Sequence, residues 1–202
     1  MKKLTGIPAI LIFLLSCGGA ENKPAKDLTP AGPVASVNDA GFNKGFDNML
    51  SAYFKLRDGL IDWDTTAANK ASLDLARYSD SLDITHFPND SSGAIKSTAD
   101  NFTGTITGSA KALVGEKDIQ AKRKEFQMIS DALYDLARSV RYDREILYHM
   151  KCPMAFNNTE EAYWISDNSE IKNPYLGNKH PKYKNKMLGC GEVTDSIGAR
   201  AK

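Results

Sequence analysis

Four stretches between residues 38 and 148 carry apolar side chains every three or four positions. This spacing places the apolar side chains on one face of an α-helix. The four sets are Phe42, Phe46, Met49, Tyr53, Leu56 and Leu60; Ala68, Ala71, Leu75, Tyr78 and Leu82; Ile95, Ala99, Phe102, Ile106 and Leu113; and Ile119, Phe126, Ile129, Leu133, Leu136, Val140 and Leu147. Because each helix must bury one face and the links between them are short, the pattern predicts an up-and-down four-helix bundle.

Polar residues and glycine mark the ends of these helices. Asp39, Asp64 and Asp118 each precede an apolar set at a position where a carboxylate can accept the first free backbone N–H groups. Gly115 follows the third set and is suited to end it. We therefore expect helices that begin after the three aspartates.

After about Tyr148 the helical spacing stops. Proline, asparagine and glycine interrupt the chain repeatedly, as at Pro153 and Asn157–Asn158, and we predict no strands and at most a short helical turn at Thr159–Ala162. The predicted fold class is therefore all-α, with an up-and-down four-helix bundle followed by an irregular, loop-rich C-terminal segment. So long a loop segment in a compact domain usually has a function or a covalent staple.

The N-terminus has the features of a targeting signal. Met1-Lys2-Lys3 is positive, and the apolar run from Leu4 to Leu15 is too short to span a bilayer. The run closes with Leu14-Leu15-Ser16-Cys17, which resembles the lipobox of bacterial lipoproteins. That resemblance implies cleavage before Cys17 and a lipid on this residue, whereas an ordinary secretory signal is the alternative.

These features predict three parts of the chain. Residues 1–16 are a lipoprotein signal peptide, residues 17–37 are a small, polar, proline-containing tether, and residues 38–202 form a single helical domain. The lipid would anchor the protein to a bacterial membrane, and we expect the outer membrane, facing the periplasm.

Composition and motifs exclude several functions. The formal net charge is +1, which gives no electrostatic reason for nucleic-acid binding. Phosphate-binding loops, nucleophile elbows and zinc-protease motifs are absent from the sequence. We therefore expect a binding protein and not an enzyme.

The C-terminal segment, from about residue 149 to residue 193, contains two pairs of sulfur side chains. Pro153 favours an extended Cys152, so that Cys152 and Met154 would point to the same side. Met187 and Cys190 are three residues apart and would lie together on a helical turn. His149 precedes Cys152 by three residues at the predicted end of the last helix, where its charge would suit the helix dipole.

Sulfur ligands select soft metal ions, and Cu(I) is the first expectation. Two other hypotheses compete with a Cu(I) site. A Cys152–Cys190 disulfide would close a long loop and stabilise the protein by about 3–4 kcal/mol. A Zn(II) site would combine the two cysteines with His149 or His180. The residues alone leave metal and disulfide evenly matched.

Four motifs together resemble domain-of-unknown-function family 3347, over roughly residues 38–195. They are Cys152-Pro153-Met154-Ala155, Trp164-Ile165-Ser166, Ile171 to Gly177, and Met187 to Val193. The resemblance implies a helical, copper-associated domain of the periplasm that partners metal-efflux adaptors or copper-handling proteins. It also implies metal ligands at Cys152, Met154, Met187 and Cys190. The stretch from Asn178 to Lys186 is longer than the link expected between the last two motifs.

Overall fold

The structure is a computed structural model that describes residues 36–198. The predicted signal peptide, Cys17 and all but the last two residues of the predicted tether lie outside these residues. The helices are α1 (Ala40–Ile61), α2 (Thr65–Asp80), α3 (Ala94–Gly115) and α4 (Ile119–Ser139), and the strands are β1 (Leu147–Phe156), β2 (Glu160–Ser166) and β3 (Glu192–Ile197). Among the described helices, none is long and apolar enough to cross a membrane.

Three of the four helices, α1, α2 and α4, confirm the predicted starts. Asp39 accepts a hydrogen bond from Phe42 N, Asp64 from Ala67 N, and Asp118 from the N–H groups of Gln120 and Ala121. Each carboxylate thereby satisfies backbone donors that have no partner within the helix. Gly115 is the last residue of α3, as expected.

Helices that follow one another in the chain pack against one another, whereas α1 and α4 approach closely at few positions. Tyr53 of α1 bridges that gap by stacking on Phe126 of α4, with 5.3 Å between ring centroids. The core that they enclose extends from Phe42 to Leu176 and includes side chains of both helices and strands. A chain without its first seventeen residues therefore keeps the whole core.

The predicted all-α fold class is wrong. The segment after α4 forms a three-stranded antiparallel sheet in the order β2-β1-β3. Cys152 pairs with Ala162 across β1 and β2, and Met150 pairs with Val193 across β1 and β3. The predicted helical turn at Thr159–Ala162 is also wrong, because Glu160 to Ala162 belong to β2.

The last helix, α4, ends at Ser139, eight residues before Leu147. The apolar spacing had predicted a helix that continued as far as Leu147. Arg141 adopts a left-handed conformation with φ of 55°. Its N–H donates to Arg138 O, and Tyr142 N donates to Ala137 O, which is the Schellman pattern that ends a helix. Glycine usually occupies the left-handed position, and because this chain has arginine there, the helix end could not be predicted from the residue type.

Strands β1 and β2 form a hairpin, and the three residues that connect them, 157–159, contain a tight turn. Asn157 and Asn158 both have positive φ, and Thr159 N donates to Phe156 O across the turn. Positive φ at both central residues matches the right-handed twist of paired strands. The pairing shifts between Cys152 and Phe156, a stretch that includes Pro153, whose nitrogen has no hydrogen to donate.

The hydroxyl groups of two tyrosines form hydrogen bonds with backbone groups on the outer edge of β2. Ile165 N donates to the hydroxyl of Tyr53 at 3.0 Å, and the hydroxyl of Tyr175 donates to Tyr163 O. An open strand edge would expose these backbone groups to other chains. The two tyrosines thus fix the sheet to α1 and to the segment that follows β2.

Candidate functional site: a pair of cysteines beneath the C-terminal loop

The face of the sheet that carries Met150, Cys152 and Trp164 is buried. The loop between β2 and β3, residues 167–191 and here called the covering loop, packs over this face. At the end of this loop, a Cβ on Gly191 would lie 2.7 Å from Lys151 O and 2.9 Å from the Trp164 ring, so only glycine fits. This close approach brings Cys190, the preceding residue, over the sheet.

Asn173 holds the two halves of the loop together. Its side-chain oxygen accepts hydrogen bonds from Tyr175 N and Leu176 N, and its side-chain nitrogen donates to Cys190 O at 2.6 Å. Its own N–H donates to Leu188 O at 2.8 Å. Since the residue is fully buried, the loss of this amide would leave several backbone groups without partners.

The loop is also fixed to the end of α1. Gly177, at φ of 63°, packs against Ile61 O and the ring of Trp63. The buried Arg123 donates to Pro174 O and Leu60 O, and its guanidinium lies 4.3 Å from the centroid of the Trp63 ring. Burial lowers the pKa of Arg123 to about 9. Arg123 was not predicted from the sequence, because an arginine within an amphipathic helix is normally exposed to solvent.

This arrangement brings Cys152 and Cys190 into contact. Both cysteines are free thiols, with Cys152 fully buried in β1 and Cys190 partly exposed. Burial, together with the neighbouring Cys152, raises the pKa of Cys190 to about 11. At neutral pH Cys190 is therefore protonated and a poor nucleophile.

This pKa predicts how Cys190 reacts with iodoacetamide. The rate of alkylation should rise about tenfold per pH unit up to about pH 10, because only the thiolate reacts. Cys152→Ala should speed the reaction at any given pH, since it removes the neighbouring sulfur that helps to raise the pKa of Cys190. Peptide mass spectrometry after timed alkylation measures the rate, with the urea-unfolded chain as reference. An equal rate in the folded and unfolded chains would contradict the pKa assigned to Cys190.

The two methionines occupy different surroundings. Met187 lies on the same turn as Cys190, whose N–H donates to Met187 O at 3.0 Å. Met154 lines a groove of about 470 Å³ near the start of α4, together with His180 and Lys182, and neither cysteine lines this groove. Both methionines are partly buried against the core. The backbone turn holds Met187 near Cys190, and Met154 follows Cys152 by two residues in β1.

His149 is not at a helix end, as the sequence suggested, but is the third residue of β1. Its ring lies between those of Tyr134 and Tyr163, with centroids 3.8 Å and 4.9 Å away, and burial lowers its pKa. Because His149 and Cys152 are three positions apart in a strand that pairs regularly with β2, the two side chains point to opposite faces of the sheet. His180 stacks on Tyr183 in the covering loop.

Within residues 36–198, no three His, Cys, Asp or Glu side chains are grouped so that they could hold a metal ion. The chemistry of the site is therefore that of two neighbouring thiols, with a thioether on the same turn. Such a pair can bind a soft ion or form a disulfide.

The fold and this site define a helical domain extended by a small sheet, with a pair of thiols beneath a C-terminal loop. Residues 49–145 match the family model described as a protein of unknown function (DUF3347). The match supports the family that the C-terminal motifs had suggested, although it covers the helical part and ends before those motifs. Neither the curated proteins nor the solved structures contain a match to this chain.

Proposed function

We propose that this protein binds one Cu(I) ion through Cys152 and Cys190, with Met187 as a further ligand. The observation that carries the proposal is the contact between two free thiols from distant parts of the chain. Thiolates provide strong binding to a soft ion, and a thioether adds a neutral soft ligand. The partial exposure of Cys190 leaves a route for an ion to enter.

The donor set favours Cu(I) over Zn(II). Protein zinc sites use at least three ligands from cysteine, histidine and carboxylate side chains. The described residues place only two such ligands together, and His149 lies on the opposite face of the sheet from Cys152. A methionine beside the thiols suits copper and not zinc.

The cellular context is part of the same proposal. The lipobox-like sequence at Cys17 and the family resemblance support a lipoprotein of the bacterial cell envelope that faces the periplasm. There it would sequester Cu(I) or pass it to a metal-efflux adaptor or another copper-handling protein. It would act by binding and not by catalysis.

A Cu(I) titration against a competing chelator tests the proposal on the chain without its first seventeen residues. One equivalent should bind, and Cys152→Ser or Cys190→Ser should each weaken binding by about 100-fold or more, because each removes a charged ligand. Met187→Leu should weaken it by roughly tenfold. Met128→Leu, at a methionine 52% exposed on α4, is the matched control and should change nothing. Unchanged affinity in both cysteine variants would refute the proposal.

The pH dependence gives a second test of the same site. The bound thiolates must lose their protons, and the pKa of Cys190 is about 11. The apparent affinity should therefore rise by about tenfold per pH unit for each proton released. Cys190→Ser should remove one proton from this dependence, and an affinity independent of pH would exclude Cys190 as a ligand.

The same contact between the thiols supports a second candidate function. A Cys152–Cys190 disulfide would close a loop of about 38 residues and contribute about 4 kcal/mol by chain entropy. The protein would then act as a disulfide-stapled helical interaction module at the membrane surface. Mass spectrometry of protein alkylated without reduction separates the two candidates. Two alkylated thiols favour the metal site, whereas an unalkylated mass lower by two hydrogens favours the disulfide.

A further inference from the structure

The covering loop concentrates positive charge on one part of the surface. Residues 178–186, here called the lysine loop, contain four lysines, and no acidic residue occurs from residue 171 to residue 191. Because the whole chain has a formal charge of +1 and this loop +4, the rest of the chain has −3. The four side chains are exposed, and none forms a salt bridge within residues 36–198. They are Lys179, Lys182, Lys184 and Lys186.

Hydrogen bonds hold the lysine loop in one conformation. Lys184 N donates to His180 O at 2.7 Å, and His180 Nδ1 accepts from Lys182 N and Tyr183 N. The hydroxyl of Tyr183 donates to Asn158 in the hairpin turn at 2.9 Å. A partner that binds the lysines therefore does not have to order the backbone that carries them.

We propose that the lysine loop binds the surface of an anionic lipid bilayer. Lysines near such a surface are attracted by its negative potential, and four of them together give reversible binding. The inference is independent of the copper proposal. It adds a second membrane contact to the predicted lipid at Cys17.

The reach of the chain allows both contacts at once. The loop lies at the end of α1, where Asn178 N donates to Ile61 O at 2.8 Å. The 22 residues of α1 separate this end from the start of the helix by about 33 Å. The eighteen residues from Gly18 to Ala35 can span up to about 60 Å. A lipid at Cys17 would thus keep the loop near the bilayer at a high effective concentration, where weak binding is sufficient.

Sedimentation with lipid vesicles tests the inference. The chain without its first seventeen residues, which has neither the apolar run nor Cys17, is mixed with vesicles of phosphatidylcholine alone or with about one third phosphatidylglycerol. We expect binding to the anionic vesicles only, and weaker binding at higher salt. Each Lys→Gln change should weaken binding about fivefold, and the change of all four lysines by several hundredfold, on the order of the attraction per lysine.

A matched variant controls for net charge. Lys44, Lys70, Lys96 and Lys111 are exposed on α1, α2 and α3, and their joint change to glutamine removes the same charge elsewhere. This variant should retain most of the binding, and circular dichroism should show that both variants are folded. Equal binding by the two variants, or equal binding to neutral vesicles, would overturn the inference. Stronger binding to soluble polyglutamate than to anionic vesicles would also overturn it, in favour of an acidic protein.

Discussion

Replacing Trp164 with alanine is expected to lower the free energy of unfolding by about 4 kcal/mol. Trp164 is among the largest fully buried side chains and is 1% exposed. Its ring lies edge-on to that of Tyr175, with 6.1 Å between centroids, and against Gly191 beneath the covering loop. Alanine would leave a cavity on the face of the sheet that carries Cys152. Urea unfolding measures the change.

Trp164→Ala should also weaken the contact between Cys152 and Cys190. If the loop loses its support, Cys190 becomes more exposed, and its alkylation at neutral pH should be faster than in the unchanged chain. Leu73→Ala is the control, because Leu73 is 54% exposed on α2 and its loss should change stability by less than about 0.5 kcal/mol. Similar free energies of unfolding for the two variants would contradict the buried position of Trp164 in the core.

Replacing Gly177 with alanine is expected to destabilise the protein by about 3 kcal/mol. The residue has φ of 63°, a conformation that side chains with a Cβ rarely adopt. A Cβ there would lie 2.6 Å from both Ile61 O and Trp63 Nε1. The loop would have to move away from α1, and Cu(I) binding should weaken with it. Urea unfolding and the chelator titration measure the two effects.

Replacing a different glycine, Gly108, with alanine should have the opposite effect on the free energy of unfolding. Gly108 lies within α3, and a Cβ there would have no atom within 4 Å. Gly108→Ala should therefore stabilise the protein by about 0.5–1 kcal/mol, because alanine loses less backbone entropy than glycine in a helix. If both variants changed stability in the same direction, the close packing of Gly177 would not be the cause.

The helices could be predicted from the sequence because the signals are local. Side chains three or four residues apart meet on one helix face, and an aspartate caps the helix that directly follows it. The starts at Asp39, Asp64 and Asp118 are accordingly confirmed. Leu147 happened to continue the spacing of α4, although the chain had already left the helix at Arg141.

The strands were not predicted because both faces of the sheet are covered at the centre of β1 and β2. Tyr134 of α4 packs over His149, and the covering loop packs over Cys152 and Trp164. Polar and apolar residues therefore alternate only from His149 to Cys152, and β2 contains the uninterrupted apolar run from Tyr163 to Ile165. Two signals were nevertheless present. The Asn157–Asn158 pair is typical of a hairpin turn, and the aromatic and branched residues from Tyr163 to Ile165 favour a strand.

The order of residues along the chain was sufficient to predict the four helices, three of their N-terminal caps and a C-terminal segment that contains two cysteines and several methionines. Which of these sulfur atoms meet is set by packing between distant parts of the chain. Contact between Cys152 and Cys190 depends on the amide of Asn173, the absence of a side chain at Gly191 and the attachment of the loop to α1. Those interactions join residues far apart in the chain, so that no local spacing of residues could specify them.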